Sequence, residues 1–249
     1  MAIKEYIVNS TSEFVSTVSN LKSDFERLWF RGHASKMYHL QPTVYRSPYS
    51  WEDEQPLLHQ FKAKAARFVT SKPDSDIEWL FIMQHHATPT RLLDWSEAAM
   101  VALAFAIQYR NESHKGNDAA VWCLDPKRLN SFTRFSSFDS EPIPNICANE
   151  DLQNMFESSR QKYPVAIIGP QNTDRIIAQK GVFTLFPNAT SFSMEELDKS
   201  EEFLRKIVIN ETSIDKISKE LYFLGMTEST LFPELDSISK ELRSQYERS

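Results

Sequence analysis

The chain has 249 residues, 41% of them hydrophobic and 25% charged, which is ordinary for a globular protein and long enough to bury a substantial core. Its formal net charge of −6 argues against an indiscriminate nucleic-acid coat, which needs a basic balance, while leaving room for a local basic groove. Two cysteines, Cys123 and Cys147, make neither a disulfide framework nor a zinc site.

Ser10-Thr11-Ser12-Glu13 has the spacing of a capping box and predicts a helix with Phe14, Val15, Val18 and Leu21 inward. Arg27 to Gly32 reads as a short strand ending at a glycine, a common place for a backbone to approach a ligand. A helix from about Glu52 to Val69 follows, with Leu57, Leu58, Phe61, Ala65 and Phe68 on one stripe. Asp76 can cap the next helix, which must end before Thr88 because Pro89 disfavours helical geometry there. Asp94-Trp95-Ser96-Glu97 again has capping-box spacing and opens a helix, Ala98 to Tyr109, so apolar all round that it belongs in the centre. The stretch Gln84–Ser96 is thereby expected to be a polar hinge between two helices.

The second half is richer in strands, expected at Ala120–Leu124, Val165–Ile168, Val182–Phe186 and Lys206–Ile209. Helices are expected near Asp151–Lys162, Ile214–Leu224 and Ser237–Tyr246. Cys123, inside its apolar run, reads as a small core residue. Short strands interleaved with helices, without regular βαβ alternation, predict a single α+β domain over 1–249, with a helical N-terminal portion and a small mixed or antiparallel sheet. The N-terminus lacks the pattern of a signal peptide and no apolar run approaches membrane-spanning length, so the expectation is a cytoplasmic protein without a membrane partner.

Chemistry-bearing residues concentrate in a few places. Arg31, at the end of its strand, suits an anion clamp or a structural pair with a carboxylate such as Asp94. His85 and His86 are adjacent on a helix and must face different sides, so that one of them can serve as a hydrogen-bonding group or acid–base catalyst. No set of converging metal ligands is visible, and no metal is expected. Asp94 reads first as a helix N-cap. Arg91, held in a rigid frame after Pro89, is either a buried ion pair or an anion clamp. Gln179 precedes Gly181, which reads as a helix terminator. Nucleotide-binding glycine motifs and a hydrolase elbow are absent.

Three separated segments, Phe30-Arg31-Gly32, then Gln84-His85-His86-Ala87-Thr88-Pro89-Thr90-Arg91-Leu92-Leu93-Asp94-Trp95, then Gln179-Lys180-Gly181-Val182-Phe183-Thr184, together resemble the signature of the bacterial FRG-domain family. Leu231-Phe232-Pro233-Glu234-Leu235 resembles that family's closing motif, and the resemblance spans about residues 25–240. Ala87 stands where the family usually has glycine.

FRG domains are similar in outline to ADP-ribosyltransferases, so the resemblance implies that fold and NAD as a substrate. By the resemblance, Arg31, Gly32, Thr90 and Arg91 would bind NAD, and His86, Asp94 and Gln179 would carry the catalytic roles. Gln179 could orient a ribose hydroxyl but not act as a base. Some members resemble toxins of phage-defence toxin–antitoxin systems, which implies RNA or a protein as acceptor, with an antitoxin and a chaperone as partners. Two other classes stay open: a metal-independent nuclease using His86 and Arg91, and a non-enzymatic binding module in which Arg31 pairs with Asp94.

Overall fold

Runs of apolar residues too short for a helix and uninterrupted by polar ones mark strands covered on both faces. Ala119–Leu124 is such a run, buried at every position, and it lies inside the sheet rather than at an edge. The computed structural model describes residues 2–69, 73–133, 143–146, 161–188 and 191–247. Within them β1 (Glu5–Val8), β2 (Trp29–His33), β3 (Leu92–Ser96), β4 (Ala119–Leu124), β5 (Val165–Ile167), β6 (Gly181–Leu185) and β7 (Leu204–Ile209) form one mixed sheet in the order β1-β7-β4-β2-β3-β6-β5. β1 runs parallel to β7, and the other neighbours are antiparallel.

Two groups of helices share one face of the sheet. Over one end lie α1 (Thr11–Leu21), α4 (Ala99–Gln108) and α8 (Ile214–Phe223), whose Phe14, Leu103 and Ile217 pack with Phe30, Val121 and Ile207 of the sheet. Over the other end, α2 (Glu54–Ala65) and α3 (Asp76–His85) bring Leu58, Leu80 and Met83 against Leu92, Ile167 and Leu185, which the strand register places on the same side as Phe30. The opposite face carries Trp29, Trp95, Trp122 and Leu124, which cluster with Leu40 and Phe203. The shorter helices are α5 (Pro126–Phe132), α6 (Asp174–Ala178), α7 (Ser200–Phe203) and α9 (Glu228–Leu231), and α10 (Leu235–Glu247) ends the described chain.

The α+β class and the later strands agree with the sequence expectation, and the N-terminal portion carries the helices α1 to α4, but it is not helical alone. It supplies β1 to β4, which include the three strands at the middle of the order together with β7's parallel neighbour. The hinge between two helices is replaced by β3, where Leu92, Leu93 and Trp95 are buried. Asp94 therefore caps nothing. The N-cap of α4 is Ala98, without a side-chain bond, and the Ser96 hydroxyl accepts the Ala98 N–H at 3.0 Å instead. Ser75 rather than Asp76 caps α3, accepting from the Glu78 N–H. Val15 and Phe68, expected inward, are largely exposed. Cys123 is buried and free, whereas Cys147 and the helix expected near Asp151–Lys162, save its last two residues, lie outside the described residues.

Helix α3 ends in a paired reverse-turn cap. The Thr88 N–H reaches the Met83 carbonyl at 2.9 Å and the Ala87 N–H reaches the Gln84 carbonyl at 3.1 Å, the six-to-one and five-to-two bonds of a Schellman motif. The motif needs a left-handed residue at its centre, and Ala87 adopts φ 56°. A side chain there costs about 1 kcal/mol relative to glycine. Ala87→Gly is accordingly expected to stabilise the protein by about 1 kcal/mol, read as a higher urea midpoint with an unchanged slope.

Gly32 has a packing role that its place at a strand end did not suggest. A Cβ on it would lie 2.0 Å from the Ala102 carbonyl oxygen and 2.6 Å from the Ala106 nitrogen. The close neighbour is thus the backbone of α4.

Candidate active site

Between β2 and β3 the sheet comes apart. Only Phe30 and Ser96 pair across these strands, although each strand continues for several residues beyond that rung. An opened ladder leaves backbone groups without sheet partners, and such groups need others. The Arg31 guanidinium takes one of them: its Nη1 donates to the Asp94 carbonyl oxygen at 2.6 Å. The side chain thus stands where the next strand-to-strand bond would have been.

The split opens into a cavity of about 640 Å³, within the range of small-molecule sites. Its walls come from the ends of β2 and β3, the loop after β2, α4, the end of α3 and the α6–β6 turn. Three guanidiniums line it, from Arg31, Arg46 and Arg175, against one lining carboxylate, Asp94, among the described residues. A chain of net negative charge therefore presents a locally cationic pocket.

Each charged group is held by a neighbour. Arg31 Nε donates to His33 Nε2 at 3.1 Å, and His33 Nδ1 meets the Tyr38 carbonyl oxygen at 3.2 Å. The ring must then carry its proton on Nδ1, which leaves Nε2 as acceptor. Burial, and after it the charges of Arg31 and Arg46, push the His33 pKa well below its ordinary value, so this imidazole is a neutral support for Arg31. Burial also draws Arg31 down to about 10, against the pull of Asp94, and the guanidinium stays charged at neutral pH. Arg46 is lowered too, by burial first, and its Nε donates to the Gln41 carbonyl at 3.0 Å.

Asp94 is held through a relay that starts in the core. The Thr90 hydroxyl donates to Gln84 Oε1 at 2.6 Å and accepts the Leu92 N–H at 3.2 Å. Fixing that oxygen fixes the amide, and Gln84 Nε2 donates to Asp94 Oδ2 at 2.6 Å. A carboxylate aimed into a cationic pocket by a neutral donor can stabilise positive charge developing on a ligand.

The residues singled out in the sequence divide in space. Arg31, Gly32, Asp94 and Gln179 line the cavity. Gln179 donates its side-chain amide N–H to the Leu231 carbonyl at 3.0 Å, and its backbone carbonyl accepts the Ser96 hydroxyl at 2.6 Å. Lys180, at φ 47°, takes the left-handed position after α6, while Gly181 begins β6, so the expected terminator is displaced by one residue. Thr90 is fully buried and reaches the site only through Gln84. His86 is exposed and outside the cavity wall, where its neighbour His85 faces inward, its pKa lowered by burial and then by His86 and Arg175.

Arg91 is not an anion clamp. It is 4% exposed, its Nε lies 3.2 Å from Glu54 Oε2, and its backbone N–H donates to Glu54 Oε1 at 2.7 Å. Burial raises the Glu54 pKa while Arg91 lowers it. Sequence reading missed Tyr38, His33, Gln84 and Arg175 as wall residues. Arg175 stacks its guanidinium over the Phe232 ring at 4.6 Å, bringing the Leu231–Leu235 motif to the pocket rim. Gln84 alone had a signal, its place at the head of the central motif.

Among the described residues there is no cluster of three or more His, Cys, Asp or Glu that could hold a metal ion, and no helix long and apolar enough to cross a membrane. Residues 26–115 match the family model of the FRG domain, a segment that includes β2, β3 and α4 and leaves Gln179 outside. Comparison with curated proteins and with solved structures found no match.

Proposed function

We propose that this protein is an ADP-ribosyltransferase that takes NAD as its substrate, with the split between β2 and β3 as the binding cleft. The single observation that carries the reading is the pairing, in one cavity, of a cationic floor with one oriented carboxylate. Arg31 and Arg46 match the diphosphate of a dinucleotide, and guanidinium forks suit phosphate oxygens. Phe105, Tyr109 and Phe183 offer flat apolar surface on which a base can lie.

The chemistry asked of the site is modest. The carbon–nitrogen bond between nicotinamide and ribose breaks with its electron pair leaving on nicotinamide, and the sugar becomes oxocarbenium-like. Asp94 stabilises that cation, Gln84 keeps the carboxylate aimed, and Gln179 orients a ribose hydroxyl from the opposite wall. The acceptor then attacks the sugar carbon. His85, held neutral and facing inward, is better placed than the exposed His86 to receive the acceptor's proton.

The FRG-domain resemblance extends the proposal to a toxin of a phage-defence toxin–antitoxin system that modifies RNA, with a protein acceptor as the alternative and an antitoxin and chaperone as partners. The nuclease reading joined His86 to Arg91, and no common site holds that pair. The binding-module reading joined Arg31 to the Asp94 carboxylate, whereas the bond made is to the Asp94 carbonyl.

The test is release of nicotinamide and transfer of label from NAD to RNA, DNA or lysate protein. Arg31→Ala is expected to lower the rate at least about 100-fold, the usual loss for a removed charge-stabilising donor, without lowering the melting temperature by more than a few degrees. No nicotinamide release by the wild-type protein sinks the proposal.

A further inference from the structure

The loop from Ala34 to Gln41 forms one wall of the cavity, and Tyr38 sits on it half-exposed. Nothing in the chemistry so far needs its hydroxyl. Its surroundings nevertheless dictate where that hydroxyl's proton must point.

The Tyr38 oxygen lies 2.7 Å from His114 Nε2. The other nitrogen of that ring, Nδ1, accepts the Asn111 backbone N–H at 3.1 Å. A nitrogen that accepts cannot carry the ring proton, so the proton is on Nε2 and His114 is the donor to Tyr38. The phenol oxygen therefore accepts, and its own O–H remains to donate elsewhere. Tyr38 is a lining residue of the cavity, and accepting one hydrogen bond makes a hydroxyl a stronger donor of the next.

The loop that carries this group is stapled from below. Arg110 donates to the Ala34 and His114 carbonyls and, at 2.7 Å, to that of Asn117. These bonds tie the half-buried arginine to both the Tyr38 loop and the His114 turn, which bear the two ends of the Tyr38–His114 bond. The Tyr38 backbone carbonyl also holds His33, which holds Arg31. One residue thus sets the direction of the first guanidinium with its backbone and presents a donor with its side chain. The second guanidinium, Arg46, lines the same cavity and is close enough for the phenol to influence its charge.

We infer that Tyr38 is a ligand-binding residue of this cavity, its hydroxyl proton aimed by His114 to donate to a non-bridging oxygen of a diphosphate held by Arg31 and Arg46. The choice of a diphosphate rests on the NAD reading, but the subsite can be tested without any transfer chemistry. Hydrogen bonds to charged groups are the stronger class, and loss of one from a built site weakens binding about tenfold.

The experiment is calorimetric titration of the full chain with inorganic pyrophosphate and with orthophosphate at low ionic strength. Pyrophosphate is expected to bind the wild-type protein more tightly than orthophosphate. Tyr38→Phe is expected to bind pyrophosphate about tenfold more weakly, with the melting temperature of the unliganded protein lowered by no more than a few degrees, the cost of the His114 N–H losing its acceptor. Arg46→Gln, measured in parallel, is expected to lose at least as much and to erase the preference for pyrophosphate. A Tyr38→Phe protein with wild-type pyrophosphate affinity overturns the inference, as does a wild-type protein that binds none. Pyrophosphate binding without nicotinamide release from NAD would remove the transferase reading and leave the subsite standing. Nicotinamide release alongside wild-type affinity in Tyr38→Phe would do the reverse.

Discussion

Gly32→Ala is expected to cost about 3 kcal/mol or more, enough to lower the melting temperature steeply and to leave much of the chain unfolded at 37 °C. The methyl group would meet the Ala102 carbonyl at 2.0 Å and the Ala106 nitrogen at 2.6 Å, and both are backbone atoms of α4 with no rotamer to change. The helix would have to withdraw from β2. That helix is apolar on nearly every side, with Val101, Ala102, Leu103, Ala104, Ala106 and Ile107 buried, so withdrawal would loosen the core it builds over β2 and β4. The measurement is thermal or urea unfolding followed by circular dichroism. A variant within about 1 kcal/mol of wild type would show that α4 yields at little cost, and the packing account of Gly32 would fall. The same substitution should also abolish ligand binding, because Arg31 precedes Gly32 on the strand and the cavity lies partly against α4.

Removing one member of the Glu54–Arg91 pair is the second large effect. Glu54→Leu is expected to cost about 3–5 kcal/mol, since it leaves the Arg91 charge in a site where both partners are at most 4% exposed. The Arg91 backbone N–H loses its acceptor in the same step. The double variant Glu54→Leu/Arg91→Met is expected to recover most of the loss, because two apolar side chains of similar volume no longer bury a charge. Urea unfolding of the two single variants and the double variant closes the cycle. Additive costs would deny the pair its coupling. If Arg91 served the ligand instead, Glu54→Leu would keep near wild-type stability and Arg91→Met would abolish nicotinamide release without a change in melting temperature.

These two expectations concern residues inside the best-marked motifs, and they show how a motif can mislead about roles. Thr90 and Arg91 sit in the middle of a stretch dense with polar groups, which drew attention to them as ligand contacts. Their side chains point away from the cavity, Thr90 to steady Gln84 and Arg91 to neutralise Glu54. Both residues precede the strand Leu92–Ser96 and are buried beneath it, so their polar groups are matched to partners in the interior and not to the cavity. The capping-box reading of Asp94–Glu97 hid that strand, because a cap and a half-exposed strand residue can carry the same side chain. With Asp94 relieved of the cap, its carboxylate is available to the pocket.

The sequence by itself determined the α+β class, five of the seven strands among the described residues and the central place of the apolar helix, and it singled out Arg31, Asp94 and Gln179, which line one cavity although they come from widely separated segments. It could do so because burial on both faces writes itself as short apolar runs, and because helix periodicity and proline or glycine boundaries are local. Only the tertiary structure decided that β2 and β3 share a single rung and then part, so that Arg31 bonds a carbonyl across the gap. It also decided that Arg46 and Arg175 join Arg31 while Arg91 does not, and that His114, 76 residues from Tyr38, directs that residue's proton. The reason is physical: which charges converge depends on long-range strand pairing and on which side of a strand each residue falls, and a shift of one residue in register reverses every assignment.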